Sequence, residues 1–329
     1  MRSLNLDVVV TRGGAPESRH AVHAAVVRHD GTLIGTARNA QLATYWRSCA
    51  KPFQVMPLLE GGGFAHAGWG ADKLALACAS HGGEPEHVAL AQSMLRDLGL
   101  EEGDLACGPH EPLSARGAKF VRENGGRCTR LHNNCSGKHA AMLAAARMHA
   151  VPTEGYERAG HKVQDACTAT VSVWTGVPVA SLELAIDGCG VVVYGLPLEN
   201  MARAYAKLAH AAASAHEIPS RIVGALRAHP FLLGGTDRFD TQVLEATEGR
   251  VFAKIGAEGV HTVALLDQGI GFAIKVEDGA QRAQHTAVLR LLQLLGALGD
   301  PVPETLAEYL VRPLRNTRGE HVGDVRPAA

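Results

Sequence analysis

The sequence predicts one α/β (α+β) domain over residues 1–329, in which a mixed, largely antiparallel sheet is covered by helices. Three observations support this prediction. Apolar, β-branched segments lie near both ends of the chain, helical patterns fill the middle, and tight turns join consecutive strands. Strands joined by tight turns pair antiparallel, which disfavours the parallel sheet of a dinucleotide-binding fold. We therefore expect both termini to contribute strands to the sheet.

The first elements are strands. Residues 5–10, 20–28 and 33–38 are apolar and β-branched, and Asp30-Gly31-Thr32 supplies a turn that makes the last two a hairpin. A helix is predicted over 48–60, with Pro52 in its first turn and a run of glycines, Gly61 to Gly63, after its end.

The middle and end of the chain alternate between the two patterns. Helices are predicted near 72–79, 85–98, 114–123, 137–149 and 160–174, then strands near 182–187 and 191–194, and helices at 198–213, 219–228 and 240–247. Three consecutive strands are predicted over 251–255, 260–266 and 270–276, with Asp267-Gln268-Gly269 as the last turn. Helices over 281–298 and 303–311 close the pattern.

Composition and charge exclude several classes of protein. Hydrophobic residues make up 46% of the chain and charged residues 20%, which excludes a disordered chain. The net charge is −1, so no global field attracts nucleic acid or an acidic membrane. No apolar run approaches the roughly 18 residues of a membrane span. Asp7 interrupts the N-terminal segment before a signal-peptide core develops, so we expect a cytoplasmic protein.

Seven cysteines are present, an odd number in a chain large enough to fold without disulfides. Reduced thiols are the expectation.

The first chemical motif is Ser48-Cys49-Ala50-Lys51, a serine and a lysine three residues apart at a predicted helix start. This spacing places both side chains on one helix face. A lysine with a lowered pKa can activate a serine hydroxyl. The alternative is a helix-capping serine followed by a solvated lysine.

Two further polar segments precede predicted helices. Ser80 is followed by His81 and two glycines, which indicates an exposed bend. The candidate roles of Ser80 are a second nucleophile, a proton relay and a helix cap. The run from His132 to His139 is the densest polar cluster in the chain. Cys135 and His139, four residues apart, have a spacing that suits a metal, while Asn and Ser caps are the structural alternative.

Two glycine-rich segments complete the set. Asp187-Gly188-Cys189-Gly190 lies between two strands, where Cys189 is a candidate metal ligand and Asp187 a candidate partner for a substrate ammonium. Lys254-Ile255-Gly256 is similar to the lysine-bearing strand of β-lactamase-like enzymes. The alternatives are an ordinary turn and a solvated strand lysine.

Taken together, these segments resemble the rhizobial-type, or class 3, L-asparaginases of the asparaginase II family. The ending Arg315-Asn316-Thr317-Arg318-Gly319-Glu320-His321-Val322-Gly323 also resembles that family. The resemblance covers nearly the whole chain. It implies a serine β-lactamase/glutaminase-like fold, a homodimer, and hydrolysis of L-asparagine to L-aspartate and ammonia.

The resemblance also implies the site residues. It pairs Ser48 with Lys51 and Ser80 with Lys254, and it implies a zinc ion held by three further residues, which are Cys135, Lys138 and Cys189. The strand lysine Lys275 is the alternative to Lys254.

We predict a mechanism in which Ser48 attacks the amide with Lys51 as the base, while Ser80 and Lys254 pass the proton to the leaving ammonia. Asp187 is the predicted partner of the α-ammonium. Arg47, or His139 if protonated, is the predicted partner of the α-carboxylate. The reverse assignment, with Ser80 acylated, stays open.

Other functions remain open at this point. They are a serine glutaminase, a β-lactamase or transpeptidase-like acyl enzyme, and a non-catalytic protein that binds a metal or an amino acid.

Overall fold

The computed structural model describes residues 1–328, and the chain separates there into two compact units. Unit 1 comprises residues 1–49, 196–213 and 242 onward, and unit 2 comprises residues 50–195 and 214–241. The strands are β1 (Arg2–Ser3), β2 (Val8–Arg12), β3 (Ala15–His20), β4 (Val22–Arg28), β5 (Leu33–Ala37), β6 (Ala43–Tyr45), β7 (Glu183–Ile186), β8 (Val192–Pro197), β9 (Val251–Ile255), β10 (Val260–Leu265), β11 (Ile270–Val276), β12 (Arg312–Arg315) and β13 (His321–Pro327).

The helices alternate between short and long elements. They are α1 (Lys51–Gln54), α2 (Met56–Glu60), α3 (Gly63–His66), α4 (Ala71–Ala77), α5 (Pro85–Asp97), α6 (Ala115–Glu123), α7 (Ser136–Met148), α8 (Lys162–Thr175), α9 (Leu198–Ala213), α10 (Glu217–Ala228), α11 (Pro230–Leu233), α12 (Phe239–Ala246), α13 (Gln281–Leu294) and α14 (Glu304–Leu310). Short 3-10 turns cover Arg47–Ala50, Glu102–Asp104, Arg130–His132 and Val179–Ser181.

Unit 1 contains a six-stranded sheet of order β1-β5-β4-β11-β10-β9 and a four-stranded sheet of order β12-β13-β2-β3. Helix α9 packs on β4, β10 and β11, and α13 packs on β11 and β13. A Cβ at Gly271 would collide with the backbone of α9, so glycine permits the close approach of helix and sheet. The C-terminal strand β13 pairs antiparallel with the N-terminal β2.

Unit 2 is helical, with one antiparallel hairpin of β7 and β8. Its centre is α7, in which every residue from Ser136 to Ala146 is buried. A helix that is buried on all sides forms the core of its unit, and α7 packs against α2, α4, α5 and α8. Polar side chains at the start of α7 are therefore held inside the protein.

The predicted mixed, largely antiparallel architecture with covering helices is confirmed. Within residues 1–328, β1 pairs with β5 in parallel, and the pairs β2–β3, β2–β13, β4–β5, β4–β11, β7–β8, β9–β10, β10–β11 and β12–β13 are antiparallel. The three consecutive strands after residue 250 and the hairpin around Asp30-Gly31-Thr32 are as predicted.

The helix predicted over 48–60 is wrong in its continuity. Residues 47–50 form a 3-10 turn, and α1 and α2 follow as separate short helices. Two prolines explain the interruptions, because Pro52 and Pro57 have no N–H to donate to the carbonyls of Ser48 and Phe53. The prediction also omitted β1, β3, β6, β12 and β13, and it began the strand 20–28 two residues before β4.

No helix within residues 1–328 is both long and apolar enough to cross a membrane.

Candidate active site

Lys51 begins α1, and its side chain lies inside unit 2 with 1% of its surface exposed. Its Nζ is 3.0 Å from Ser80 Oγ and 3.2 Å from the carbonyl oxygen of Asn134, and it also donates to the carbonyl of Ala79. Ser80 is itself buried. A lysine amine in direct contact with a serine hydroxyl, away from bulk water, is an arrangement that can move a proton.

The loop that follows Ser80 is held on both sides. The Ser80 N–H donates to the carbonyl of Leu233, and the Ser114 N–H donates to the carbonyl of Gly82. A Cβ at Gly82 would lie 2.7 Å from Ser114 Cβ, so this glycine is required by close packing. Gly83 adopts φ +70°, a conformation that favours glycine. The two glycines of the motif therefore set the path of the backbone beside Ser80.

Glu84, at the end of this loop, is a buried charge with several partners. Its side chain accepts hydrogen bonds from Arg116 Nη1 at 2.5 Å, from the Thr236 N–H at 2.7 Å and from Thr236 Oγ1 at 2.9 Å. Burial alone would raise the pKa of Glu84, but the bonds from Arg116 and Thr236 hold its pKa below the usual value. The carboxylate thus anchors the loop to α6 and to the segment after α11.

His81 is fully buried, and its Nε2 lies 2.9 Å from Ser136 Oγ at the start of α7. Burial lowers the pKa of His81 well below its ordinary value, and the positive charge of nearby groups such as His87 and Lys51 adds to the effect. The imidazole is therefore neutral at physiological pH.

Cys135, Lys138 and Cys189 come together in unit 2, and all three are buried. Lys138 Nζ is 3.0 Å from Cys189 Sγ. A hydrogen bond from Cys135 lowers the pKa of Cys189 to about 5, against the effect of burial and with the help of Lys138. The same bond, together with burial, raises the pKa of Cys135 to about 12. The two sulfur atoms therefore share a hydrogen bond that favours loss of a proton from Cys189, beside the Lys138 amine.

The substrate-binding candidates of unit 2 lie near this cluster. Asp187 is half-buried in the hairpin turn, where its backbone N–H donates to the Val191 carbonyl at 2.8 Å, and its charge acts on Lys138. His139 is buried, and its Nδ1 lies 2.6 Å from Tyr156 Oη. Burial and the charge of Lys138 lower the pKa of His139 to about 3. His139 is therefore neutral near pH 7, and the protonated form considered from the sequence is not the resting one.

The remaining candidates lie in unit 1. Ser48 is half-buried, directly after Arg47, whose φ of 54° is left-handed and rare for a residue with a side chain. The next residue, Cys49, is fixed at both ends: its thiol donates to the Lys254 carbonyl at 2.9 Å, and its carbonyl accepts from Tyr205 Oη at 2.8 Å. Lys254 is fully buried in β9.

Gly256 allows Cys49 to lie close to the end of β9, because a Cβ at Gly256 would be only 3.1 Å from Cys49 Sγ. Unit 1 thus places the Ser48 segment beside the strand of Lys254.

The model of the L-asparaginase II family matches residues 8–327. The chain belongs to this family. The match covers nearly the whole sequence, including every segment that carried the resemblance. A comparison with curated proteins finds no match.

Several solved structures resemble this asparaginase-family chain at low sequence identity. A protein named Mglu in its glutamate form has 16% identity and a TM-score of 0.46, over 84% of this chain and 61% of that chain. The Bacillus subtilis glutaminase YbgJ, bound covalently to 5-oxo-L-norleucine, has 11% identity and a TM-score of 0.38, over 84% of this chain and 87% of that chain. A candidate β-lactamase from Bacteroides dorei has 11% identity and a TM-score of 0.41, over 87% of this chain and 93% of that chain. The chain thus spans 61% of the Mglu chain in its glutamate form, less than two thirds of its length.

The donor set of the asparaginase-family chain fits a zinc ion. Two sulfur atoms and one nitrogen converge in a buried place, which leaves the fourth tetrahedral position open. Within residues 1–328, no three Cys, His, Asp or Glu side chains are arranged to hold a metal, and the nitrogen beside the two sulfur atoms is Lys138 Nζ. Cys135 and Lys138 would each lose a proton to bind zinc, which makes affinity fall as pH falls.

Sequence reasoning missed several residues of this site. Ser136 lies inside the segment that was singled out, but a serine at a helix start predicts only a cap. Glu84, Arg116 and Thr236 are far apart in sequence, and each alone is typical of a surface. The sequence did hold one signal for Glu84. It directly precedes Pro85, and because proline favours the first position of a helix, Glu84 is expected at the N-cap beside the Ser80 motif.

Proposed function

We propose that this chain hydrolyses L-asparagine to L-aspartate and ammonia. Membership of the L-asparaginase II family supports an amide hydrolase. The observation that carries the proposal is the 3.0 Å contact between Lys51 Nζ and Ser80 Oγ in a buried setting. An amide is unreactive, and its hydrolysis needs a nucleophile whose proton can be removed and later returned to the leaving nitrogen.

The partners of Lys51 suit both protonation states. An ammonium has three N–H groups, which match the carbonyls of Ala79 and Asn134 and the hydroxyl of Ser80. A neutral amine keeps two N–H groups for the carbonyls and can accept the Ser80 hydroxyl proton on its lone pair. Lys51 and Ser80 can therefore exchange a proton without any change in the other two contacts.

The proposed roles follow from this exchange. Ser48 attacks the side-chain amide carbon, and Lys51, three residues later in the chain, takes its proton. Lys51 then donates a proton to Ser80 Oγ while Ser80, with Lys254, donates its own hydroxyl proton to the amide nitrogen, which leaves as ammonia when the C–N bond breaks. Water then hydrolyses the acyl-enzyme with the same groups acting in reverse. The contact with Lys51 equally supports Ser80 as the acylated serine, and the test below separates the two.

The substrate's α-ammonium and α-carboxylate need separate partners. We assign the ammonium to Asp187. The carboxylate is assigned to Arg47, with His139 as a neutral N–H donor in place of the protonated form.

We also propose a zinc ion held by Cys135, Lys138 and Cys189. Zinc supplies a Lewis acid that can orient or polarise a bound group. Two thiolates and a neutral amine leave little net charge, so a positioning role is favoured. A homodimer and a cytoplasmic location complete the proposal.

The test is acyl-enzyme trapping combined with an ammonia assay. Protein quenched during turnover of L-asparagine should carry an aspartyl adduct on the peptide that contains Ser48 or on the peptide that contains Ser80. Ser48→Ala should remove an adduct at Ser48, and Ser80→Ala one at Ser80. Absence of ammonia from both L-asparagine and L-glutamine would refute the proposal.

A further inference from the structure

His81 belongs to a continuous chain of hydrogen bonds inside unit 2. The Gly83 N–H donates to His81 Nδ1 at 3.2 Å, so Nδ1 is an acceptor and the ring proton resides on Nε2. The Nε2–H then donates to Ser136 Oγ at 2.9 Å, and Ser136 Oγ donates to the Leu131 carbonyl at 3.1 Å. Every buried polar atom of the two side chains has a partner.

This chain of bonds joins two separate backbone segments. One is the loop of residues 79–84, and the other is the turn of residues 131–136 before and at the start of α7. Lys51 connects the same two segments, because it bonds Ala79 and Ser80 on the first and Asn134 on the second. The bond between His81 and Ser136 therefore fixes the gap across which Lys51 must reach.

We propose that His81, acting through Ser136, is a positioning residue for the Lys51–Ser80 pair. This inference rests on the proposed function, since it assigns a catalytic consequence to the spacing of that pair. If the two segments separate, Lys51 cannot keep its contacts to Asn134 and to Ser80 at the same time. A displacement of about 1 Å in such a pair can cost about 100-fold in rate. Substrate binding, which is assigned to other residues, should change little.

A purely structural role predicts a different result. His81 and Ser136 would then fill the core, and their loss would lower stability without a specific effect on turnover. Thr175 is the matched control: it is also fully buried, and its Oγ1 donates to the Val171 carbonyl at 2.7 Å within α8 of the same unit. Both Ser136→Ala and Thr175→Ala remove one buried hydroxyl that donates to a backbone carbonyl.

The experiment measures kcat and KM for L-asparagine, the thermal midpoint, and hydrogen exchange of peptides covering 79–84 and 130–136. Ser136→Ala should lower kcat about 10- to 100-fold with KM within about threefold of wild type, and should speed exchange in both segments. Thr175→Ala should lower the midpoint but leave kcat and the exchange of both segments unchanged. Ser136→Cys keeps a weaker hydrogen-bonding group and should give an intermediate kcat; it serves if Ser136→Ala does not fold.

The outcomes distinguish failure of the positioning role from failure of the proposed asparagine hydrolysis. Exchange in both segments equal to wild type in the Ser136 variants overturns the inference, whatever the activity. Faster exchange with kcat equal to that of Thr175→Ala also overturns it. If the Ser136 variants exchange faster but the wild-type protein releases no ammonia, the His81–Ser136 link is supported and the proposed function is refuted.

Discussion

Gly82→Ala should damage both stability and turnover, because the added methyl group has no room. An ideal Cβ at this position would lie 2.7 Å from Ser114 Cβ, 3.1 Å from Ser114 Oγ and 3.2 Å from the Gly234 carbonyl oxygen. Carbon atoms pack at about 3.5 Å or more, so the closest contact must open by about 0.8 Å. The added methyl group cannot move toward Gly234, because backbone atoms lie there. Ser114 is also held in place, because its Oγ caps α6 by accepting a hydrogen bond from the Gly117 N–H.

The loop itself must therefore move, and it carries Ser80 two residues earlier. Overpacking of this kind costs about 1–3 kcal/mol of the free energy of unfolding. A shift approaching 1 Å at Ser80 should also lower kcat by up to about 100-fold.

The assay is urea denaturation together with steady-state ammonia release, and Gly224→Ala is the control. Gly224 lies in α10 of the same unit with no atom within 4 Å of its added Cβ, so alanine there should raise stability by about 0.5–1 kcal/mol and leave kcat unchanged. A Gly82→Ala protein with wild-type stability and turnover would refute the description of this loop as tightly held.

Three further predictions address the nucleophile, the metal and the histidines. Ser48→Ala and Lys51→Ala should each remove most activity, and the double variant should lose little more, because a nucleophile and its base act as a unit; additive losses would contradict their pairing. Elemental analysis should find about one zinc per chain, lost in Cys135→Ala and in Cys189→Ala; if both variants keep zinc, the ligands lie elsewhere. Burial lowers the pKa of both His81 and His87 below the unfolded value near 6.5, so the unfolded state binds more protons and stability should fall as pH drops below 6.5. The fall should reach at most about 1.4 kcal/mol per pH unit for each histidine, and urea melts that show flat or rising stability from pH 6.5 to 5 would contradict it.

Strong local patterns made most of the fold predictable. Asp30-Gly31-Thr32 and Asp267-Gln268-Gly269 are turn sequences between β-branched runs, and both hairpins formed as expected. Strand β3 was missed because its sequence, Ala-Pro-Glu-Ser-Arg-His, is polar and mostly exposed. It is an edge strand that owes its conformation to pairing with β2, which local propensity does not reveal.

The sequence singles out candidate site residues, but it does not predict the contacts between them. Motif spacing predicts a pair of Ser48 and Lys51, whereas the contact observed in unit 2 joins Lys51 to Ser80, which no local pattern encodes. That contact arises because Lys51, at the start of α1, reaches both the loop after α4 and Asn134 just before α7, which lie far apart in sequence. Similarly, the neutral state of His139 follows from burial, which the sequence of an alanine-rich helix suggests only weakly.

The Lys51–Ser80 contact has the most direct bearing on mechanism. A lysine whose side chain is buried and whose amine touches a serine hydroxyl should be indispensable for proton transfer, whichever serine is acylated. Lys51→Arg keeps the charge but cannot act as a base, so it should be as inactive as Lys51→Ala. Substantial activity in Lys51→Arg would indicate that Lys51 serves only as a fixed charge.

Ammonia release from L-asparagine and from L-glutamine, measured side by side on the purified wild-type protein, tests the central claim most directly. The proposed function predicts rapid release from L-asparagine and much slower release from L-glutamine. Equal rates would contradict the assignment of L-asparagine as the specific substrate, and no release from either would contradict the amidohydrolase itself.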